Sequence, residues 1–244
     1  MGDVMKLQKL LSLVRQAVDR YEMMEAGDRI AVGVSGGKDS LTLLRALKEL
    51  SAFYPKPFEV CGVCVDLGFE NTDYDALRRF CGELEVELSV VHTQIGRIVM
   101  EERKEKHPCA LCAKLRKGAL GKEVLRMGCN KIAYAHHKDD FVETMLLSLL
   151  FQGRFYAFPP VTHFEDTSLT VLRPLMLLEE AQIKGFCRLY EIPVMKNACP
   201  ADGKTKRAYA KELLVRLQRE HPGVKERMFH AITQGQIPDW PSAK

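Results

Sequence analysis

The residues of this chain that are best suited to chemistry lie in a glycine-rich segment at positions 35–40. The segment reads Ser-Gly-Gly-Lys-Asp-Ser and lies between an apolar run that predicts a buried strand and a stretch that predicts a helix. Two glycines let the backbone approach a ligand closely, and the start of a helix presents unpaired N–H groups and a positive dipole end. With the positive charge of Lys38 added, the segment predicts a phosphate-binding loop.

The carboxylate of Asp39 makes this loop more specific. A carboxylate beside phosphates is repulsive unless a divalent cation lies between them, so the loop predicts a Mg²⁺-bound nucleotide. The spacing excludes a Walker A loop, because Gly33 and Gly37 enclose three residues instead of four. A plain helix start, with Asp39 and Ser40 as caps, explains neither the glycine pair nor the lysine. We predict catalytic roles for Lys38 and Asp39, and the predicted nucleotide-binding residues of the loop are Ser35, Gly36, Gly37, Lys38, Asp39 and Ser40.

Three of the eight cysteines could bind a metal or an iron–sulfur cluster. Cys109 and Cys112 form a Cys-x-x-Cys pair at the start of a basic helix, where two thiolates can reach one metal centre and the helix N-terminus lowers a thiol pKa. Two ligands leave such a site incomplete, and Cys199, in a turn-rich loop, is the best candidate for a third. Three thiolates suit an iron–sulfur cluster with one open iron, or zinc with a fourth ligand such as Asp202.

The remaining five cysteines are predicted to lie in the core. Cys61 and Cys64 have the same spacing as the first pair, but they fall in a predicted strand whose period of two points them to opposite faces. Cys81, Cys129 and Cys187 fall in or beside helical segments, where a buried thiol is more common than a ligand. Disulfides are not expected in a chain of this length without a secretion signal.

The elements around these motifs alternate between strand and helix. This alternation predicts an α/β fold with a doubly wound, mainly parallel five-stranded sheet and helices on both faces. We divide the chain into an N-terminal helical segment, 1–27, and a domain, 28–244, with cysteine-bearing insertions at 107–128 and 196–206. The predicted strands span residues 29–34, 58–66, 86–91, 131–135 and 168–172, and residues 153–167 are predicted to form a loop.

Ligands of doubly wound sheets bind beyond the carboxyl ends of the strands. Asp66, His136 and Asp139 follow predicted strands, so we predict that they lie near the nucleotide together with the glycine-rich loop. A second interpretation of the later segment stays open, because Asp140 and Glu143 have the spacing of a helix capping box.

Positive charge is concentrated beside the cysteines. The chain has a net charge of +4, yet segments 101–131 and 196–219 each carry +5 and the remainder is acidic. This distribution favours a polyanionic partner, although solvated helix faces would also explain it. No apolar run reaches the ~18 residues of a membrane span, and the N-terminus lacks the apolar region of a signal peptide, so we predict a cytoplasmic location without a membrane partner.

Residues 35–40 resemble the PP-loop of the N-type ATP pyrophosphatases, which use ATP to adenylate a carbonyl-type oxygen and release pyrophosphate. The order of motifs along residues 29–234 resembles the tRNA 2-thiocytidine synthetases more closely. The motifs that carry this resemblance are CALCAKLRKG at 109–118, AHHKDDFVETMLLSLLFQGR at 135–154, FPP at 158–160, LRPL at 172–175 and CPAD at 199–202.

The resemblance implies an adenine nucleotide alpha hydrolase-like fold and an ATP-dependent tRNA sulfurtransferase. Such an enzyme adenylates a 2-oxo pyrimidine, here expected to be a cytidine in the anticodon loop, and replaces the oxygen with sulfur. Cys109, Cys112 and Cys199 would hold a [4Fe–4S] cluster whose open iron accepts the sulfur. The implied partners are tRNA, a sulfur donor such as a cysteine desulfurase or free sulfide, and a second copy in a homodimer.

Asp202 departs from the family pattern, because the family often has a second Cys-x-x-Cys whose later cysteine falls there. Its carboxylate could bind the fourth iron, hydrogen-bond a bound sulfide, or cap a turn. Two other functions also stay open. A PP-loop ligase of the lysidine synthetase type would need no cluster. A nonenzymatic zinc-stapled RNA-binding module would need an aromatic stacking platform, which the sequence pattern does not offer.

Overall fold

The computed structural model describes residues 5–69, 74–103, 108–195, 199 and 206–235. The strands in this part of the chain are β1 (Arg29–Gly33), β2 (Glu59–Asp66), β3 (Glu87–His92), β4 (Lys131–Ala133), β5 (Val161–Phe164) and β6 (Leu169–Leu172). The helices are α1 (Leu7–Arg20), α2 (Lys38–Ser51), α3 (Asp75–Glu83), α4 (Ile95–Arg97), α5 (Pro108–Arg126), α6 (Lys138–Gln152), α7 (Glu180–Leu189), α8 (Lys206–Glu220) and α9 (Val224–Gln234). A π-helical turn, Ile98–Glu102, follows α4.

The strands form one sheet in the order β3-β2-β1-β4-β6-β5. The five predicted strands are all present and parallel to one another, which confirms the predicted fold class. The predicted count of five is wrong, because β5 pairs antiparallel with β6 at the edge of the sheet. The loop prediction missed β5 because Pro159 and Pro160 precede a run of only four residues, and an edge strand needs pairing on one side only.

The strand order places a crevice between β1 and β4. The chain moves outward from β1 through β2 to β3 and then returns to the other side of β1, so the connections that leave the carboxyl ends of β1 and β4 diverge. Ligands bind at such switch points in doubly wound sheets. Because α2 begins after β1 and α6 begins after β4, the N-termini of both helices lie at this crevice.

Two hydrophobic cores cover the two faces of the sheet. The larger core includes Leu10, Leu44 and Phe186, so α1 packs with α2 and α7 in one cluster. The separation of residues 1–27 from 28–244 stays a prediction. The smaller core lies under α5, where Leu120 and Val124 pack against the sheet. None of the helices in the described part of the chain is long and apolar enough to cross a bilayer.

The prediction for the five core cysteines is confirmed, since all five are buried. Cys61 lies in the smaller core and Cys64 in the larger, as the period of the strand predicts. The sulfur atoms of Cys61 and Cys129 lie 3.3 Å apart, close enough for a thiol–thiol hydrogen bond.

A buried ion pair joins the start of β1 to β4. The carboxylate of Asp28 lies 2.6 Å from Nζ of Lys131 and accepts hydrogen bonds from the backbone N–H of Glu25 at 2.7 Å and from the side chain of Asn130 at 2.7 Å. Burial raises the pKa of Asp28, but these hydrogen bonds outweigh it and hold the pKa below its usual value. The pair therefore fixes the relative position of the two strands that flank the crevice.

We expect Asp28→Ala to reduce the free energy of unfolding by about 3 kcal/mol, because it leaves Lys131 buried without its partner charge. The measurement is urea denaturation, with Glu59→Ala as the control, since the Glu59 side chain is 75% exposed and lies 3.7 Å from Arg29. At neutral pH the free energies of unfolding of wild type and Asp28→Ala should differ by this whole amount. The difference should shrink as the pH falls below 3.8, the usual pKa of an aspartate, towards the lower pKa of Asp28 in the folded protein. Equal losses in the two variants would contradict this role.

Candidate functional site

The glycine-rich loop is closed by its own serines. The backbone N–H of Ser35 donates to Oγ of Ser40 at 3.1 Å, and that hydroxyl donates to the carbonyl of Gly37 at 3.0 Å. Gly36 has a φ of +77°, a left-handed conformation that suits glycine. Gly37 is the N-cap of α2, so the helix presents its N-terminus to the crevice. This is the backbone arrangement of an anion site.

A cavity of about 430 Å³ opens beside this loop. This volume is within the range of small-molecule sites. The loop and the ends of β2 and β4 form one side, and α5 forms the other. We call it the nucleotide cavity, and its lining residues are Gly33, Val34, Ser35, Asp39, Ser40, Val63, Val65, Ala113, Arg116, Lys117, Leu120, Tyr134, Ala135, His136 and Asp140.

Lys38 is held by two carboxylates. Its Nζ lies 2.8 Å from Asp39 and 3.2 Å from Glu180, at the start of α7. Burial lowers the pKa of Lys38, but the hydrogen bond and charge of Asp39, together with the charge of Glu180, raise it above its usual value. Glu180 also binds the ammonium groups of Lys184 at 3.1 Å and Lys211 at 2.7 Å. Lys38 is thus a fully charged group held beside the loop.

The other oxygen of Asp39 fits a divalent cation. Within the described residues Oδ1 of Asp39 is buried without a hydrogen-bond partner. It lies 3.8 Å from Nε2 of His137, whose ring is also 3.4 Å from Asp140 and 3.7 Å from Asp139. An unpaired buried carboxylate oxygen is costly unless a ligand satisfies it. This orphaned oxygen, at the wall of a cavity, is suited to bind Mg²⁺ together with phosphate.

Asp140, rather than Asp139, lines the cavity. Asp139 accepts a hydrogen bond from Nζ of Lys225 at 2.6 Å and another from the backbone N–H of Glu180 at 2.8 Å, so it joins α6 to α7 and α9. Burial raises its pKa, but these bonds hold the pKa below the usual value. Its predicted role at the nucleotide has no support from this geometry.

The predicted capping box is displaced by one helical turn. The N-cap of α6 is His137, whose backbone N–H donates to the Asp140 carboxylate at 2.9 Å, so Asp140 closes the box and does not open it. Glu143 lies deeper, and burial, assisted by the charge of Asp140, raises its pKa to about 7. The capping and ligand interpretations therefore both apply to Asp140, which caps the helix and also lines the cavity.

Asp66 and His136 differ in their relation to the cavity. Asp66 accepts a hydrogen bond from the backbone N–H of Gly68 at 2.9 Å and pairs with His92 at 2.9 Å, so it holds the turn after β2. His136 lines the cavity and packs on Phe158 at 4.5 Å between ring centroids. Burial, with nearby positive charges, lowers the pKa of His136 to about 3, so the ring is neutral and offers a hydrogen bond.

One of the three candidate ligand cysteines, Cys112, adjoins the wall of this cavity, and the charges of the other two act on its thiol. Cys109 is exposed, Cys112 and Cys199 are half-buried, and Ala113, the residue after Cys112, lines the cavity wall. Burial raises the pKa of the Cys112 thiol, as do the charges of Cys199 and Cys109, while Arg116 lowers it. This direction is opposite to the lowering predicted from the helix N-terminus. The mutual influence shows that the three sulfurs share one neighbourhood.

Three thiolates are a donor set that suits an iron–sulfur cluster. In the described residues, no group of three His, Cys, Asp or Glu side chains is placed to hold one metal ion. Asp202 lies outside the described residues.

Sequence reasoning missed two long-range contacts of residues that flank Cys199 in the chain. The backbone N–H of Met195 donates to the carbonyl of Gly36 at 2.9 Å. Arg207 of α8 lies 3.1 Å from Asp140. Glu180 was missed as well. No local pattern marks these residues, because their partners lie far away in sequence.

Comparison with known proteins agrees with this architecture. The U34-tRNA thiolase NcsA from Methanococcus maripaludis, a structure with a [4Fe–4S] cluster, has a TM-score of 0.75 at 22% identity, covering 93% of this chain and 78% of that one. The NH3-dependent NAD synthetase from Campylobacter jejuni has a TM-score of 0.53 at 18% identity, covering 96% of this chain and 98% of that one. These similarities show a shared fold, the predicted adenine nucleotide alpha hydrolase-like one.

The PP-loop domain model matches residues 6–217. The tRNA-cytidine(32) 2-sulfurtransferase of Geobacter metallireducens is 37% identical over 237 residues, which cover 96% of this chain and 92% of that protein. The enzyme of the same name from Deinococcus radiodurans is 35% identical over 230 residues, or 93% of this chain and 77% of that protein. The chain therefore belongs to the PP-loop family and, within it, to the family of the tRNA-cytidine(32) 2-sulfurtransferases.

We expect Lys38→Ala to weaken the binding of Mg²⁺–ATP by about tenfold or more, because one charged hydrogen bond to phosphate is lost. Isothermal calorimetry measures the affinity. Lys184→Ala is the matched control, since Lys184 binds the same Glu180 carboxylate but is about half exposed. An affinity of the Lys38 variant equal to that of the control would exclude Lys38 from the phosphate site.

The two loop glycines should respond differently to alanine. In Gly36→Ala the new Cβ would meet Sδ of Met195 in a backbone of positive φ, whereas in Gly37→Ala the nearest atom is Oγ of Ser35 at 3.4 Å. We expect Gly36→Ala to cost about 1–2 kcal/mol of stability and Gly37→Ala much less. Urea denaturation of both variants measures these losses. Equal denaturation midpoints would contradict the left-handed conformation of Gly36.

Proposed function

We propose that this chain is an ATP-dependent sulfurtransferase that converts a tRNA cytidine, at position 32 of the anticodon loop, into 2-thiocytidine. The observation that carries the proposal is the shared cavity, whose walls are the nucleotide loop on one side and the cysteine-bearing helix α5 on the other. The close relatives that bear this activity in their name support it.

The nucleotide loop is suited to adenylation. The O2 oxygen of the base attacks the α-phosphate of ATP, a new P–O bond forms, and pyrophosphate leaves. Negative charge grows on the phosphates in this step, and Lys38 and the N-terminus of α2 stabilise it. Asp39 would hold Mg²⁺, which would supply further positive charge there. Neutral His136 and the Asp140 carboxylate offer polar contacts to a base or ribose in the same cavity.

Cys109, Cys112 and Cys199 would hold the [4Fe–4S] cluster. When bound, the cluster supplies an iron that is not ligated by the protein and can carry inorganic sulfur. The chain positions the activated base beside this place, because α5 carries both the cysteines and part of the cavity wall. Attack of a sulfur nucleophile on C2 then breaks the C–O bond, and AMP leaves with the oxygen.

Basic side chains on α5 and α8 suit the RNA backbone. Arg116 and Lys117 line the cavity, and Lys206 and Arg207 start α8 on the other side of the Cys199 loop. Contacts of this kind make binding salt-dependent and do not read the base sequence. A cytoplasmic location, a cysteine desulfurase or free sulfide as the donor, and a homodimer remain proposals that accompany this function.

The test uses wild-type protein prepared without oxygen, Mg²⁺–ATP, sulfide and two tRNA transcripts. One transcript has cytidine at position 32 and the other has uridine there. We expect 2-thiocytidine, detected by mass spectrometry of nucleosides, in the first transcript alone, together with iron and acid-labile sulfide in the protein. ATP-dependent addition of an amine by iron-free protein would instead identify a lysidine synthetase-type ligase. Bound zinc without ATP turnover would identify an RNA-binding module.

Replacing the third cysteine should separate cluster binding from ATP binding. We expect Cys199→Ser to lose at least half of the iron and nearly all thiolation, while its affinity for Mg²⁺–ATP stays within twofold of wild type. Cys81→Ser is the control, because Cys81 is buried in the larger core. If the Cys199 variant kept its full iron content and activity, the assigned ligand set would be wrong.

A further inference from the structure

A second cavity, of about 340 Å³, lies beside the nucleotide cavity on the same face of the sheet. Its floor is formed by Ile132 of β4 with Leu169 and Val171 of β6. Helix α5 forms one wall, and β5 with the turn that follows it forms the other. We call this cavity the lateral groove. The residues on its two walls that matter below are Lys114, Lys117, Gly121, Lys122, Leu125 and Phe164.

The groove offers apolar and aromatic surface to a flat ligand. Phe164 lies on one wall, and the ammonium of Lys117 is 3.8 Å from the centroid of its ring. Leu125 on the other wall is 48% exposed and adds apolar surface. Tyr134 lines the inner end. Local sequence pattern did not predict that Phe164 and Tyr134 line one groove, because they are 30 residues apart in the chain.

The rim of the groove is positive. Lys114, Lys117 and Lys122 line it from α5, and Asp166 is the carboxylate that faces them from the turn after β5. An apolar floor under an excess of ammonium groups fits a ligand that combines a base with a phosphate. A free backbone phosphate alone would leave the apolar floor uncovered.

The groove continues into the nucleotide cavity. Lys117 and Tyr134 line both cavities, so a ligand in one cavity would lie next to a ligand in the other. Two consecutive nucleotides of one strand could occupy the two cavities, because a single phosphate joins them. Lys117 lies between the cavities, where it could bind that phosphate.

We propose that the lateral groove binds the nucleotide next to the modified cytidine, with its base on the apolar floor and its phosphate among the lysines of α5. The inference rests on the proposed function, since it takes single-stranded tRNA as the substrate. Binding of this neighbour would hold the anticodon loop in place and decide which base enters the nucleotide cavity.

The test fills the groove without disturbing the fold. Gly121 lies on α5 in the groove wall, and a Cβ added there would meet nothing within 4 Å. Because Gly121 lines the groove, Gly121→Leu adds a large apolar side chain at its wall. Gly185→Leu on α7 is the matched control, because Gly185 also lies in a helix and has the same open space around its Cβ. We expect Gly121→Leu to raise the Kd for tRNA by about tenfold and the control by less than twofold, with Mg²⁺–ATP affinity and iron content unchanged in both.

A second measurement locates the nucleotide directly. A tRNA with 4-thiouridine next to cytidine 32 is irradiated on the wild-type protein, and we expect the crosslinked peptide to contain Leu125 or Phe164. Crosslinks confined to other peptides would overturn the proposal.

The outcomes separate this inference from the proposed function. If wild type thiolates tRNA and Gly121→Leu binds tRNA as tightly as wild type, the groove proposal fails and the function stands. If Gly121→Leu keeps its tRNA affinity but loses thiolation driven by a cysteine desulfurase, the groove belongs to a protein donor, which also overturns the proposal. If wild type neither binds nor thiolates tRNA, the proposed function fails first.

Discussion

The site depends on the packing of α5 across the carboxyl ends of the strands. Leu120 and Val124 bury one side of this helix against Ala31 and Val63 on the sheet. Burial of such side chains contributes about 1.5–3 kcal/mol each, so the helix is held firmly where it contacts the core. Its N-terminal turns extend beyond that core and bring Ala113, the residue after Cys112, to the wall of the nucleotide cavity. The distance between cysteines and phosphate loop is thus set by an apolar interface.

Charge pairs complete the framework around the loop. Glu180 binds Lys38 and Lys211, which joins α7 to α2 and α8, and Asp139 binds Lys225, which joins α6 to α9. Glu180 illustrates the physical reason for this pattern. Burial alone would raise its pKa, but the ammonium groups of the lysines lower the pKa to about 2, so a half-buried carboxylate stays charged and ordered. A buried charge is tolerable when it is paired, and each pair here joins segments that are distant in sequence.

Local pattern predicted much of the fold, and its errors have physical causes. Apolar runs marked all five parallel strands, because buried strands of a parallel sheet are apolar throughout. Strand β5 was missed, because Val161–Phe164 is short, follows two prolines and gains its partner only when β6 is in place. The capping box was placed one turn late, because the backbone conformation of His137, and not its residue type, makes it the N-cap of α6. The packed helices also distinguish Asp139 from the adjacent Asp140, because Asp139 binds Lys225 and Asp140 lines the cavity.

The amino-acid sequence alone determined which groups can do chemistry. These are the glycine pair with lysine and aspartate at the start of a helix, and the thiols at positions 109, 112 and 199. Their chemistry is intrinsic to side chains and to a local turn, so spacing suffices to recognise it. Tertiary structure decided which groups share a cavity and that Glu180 holds Lys38. It also decided that Met195 contacts Gly36, that Arg207 contacts Asp140, and that Phe164 and three lysines line one groove. Those relations arise from the packing of segments far apart in the chain, which no local pattern encodes.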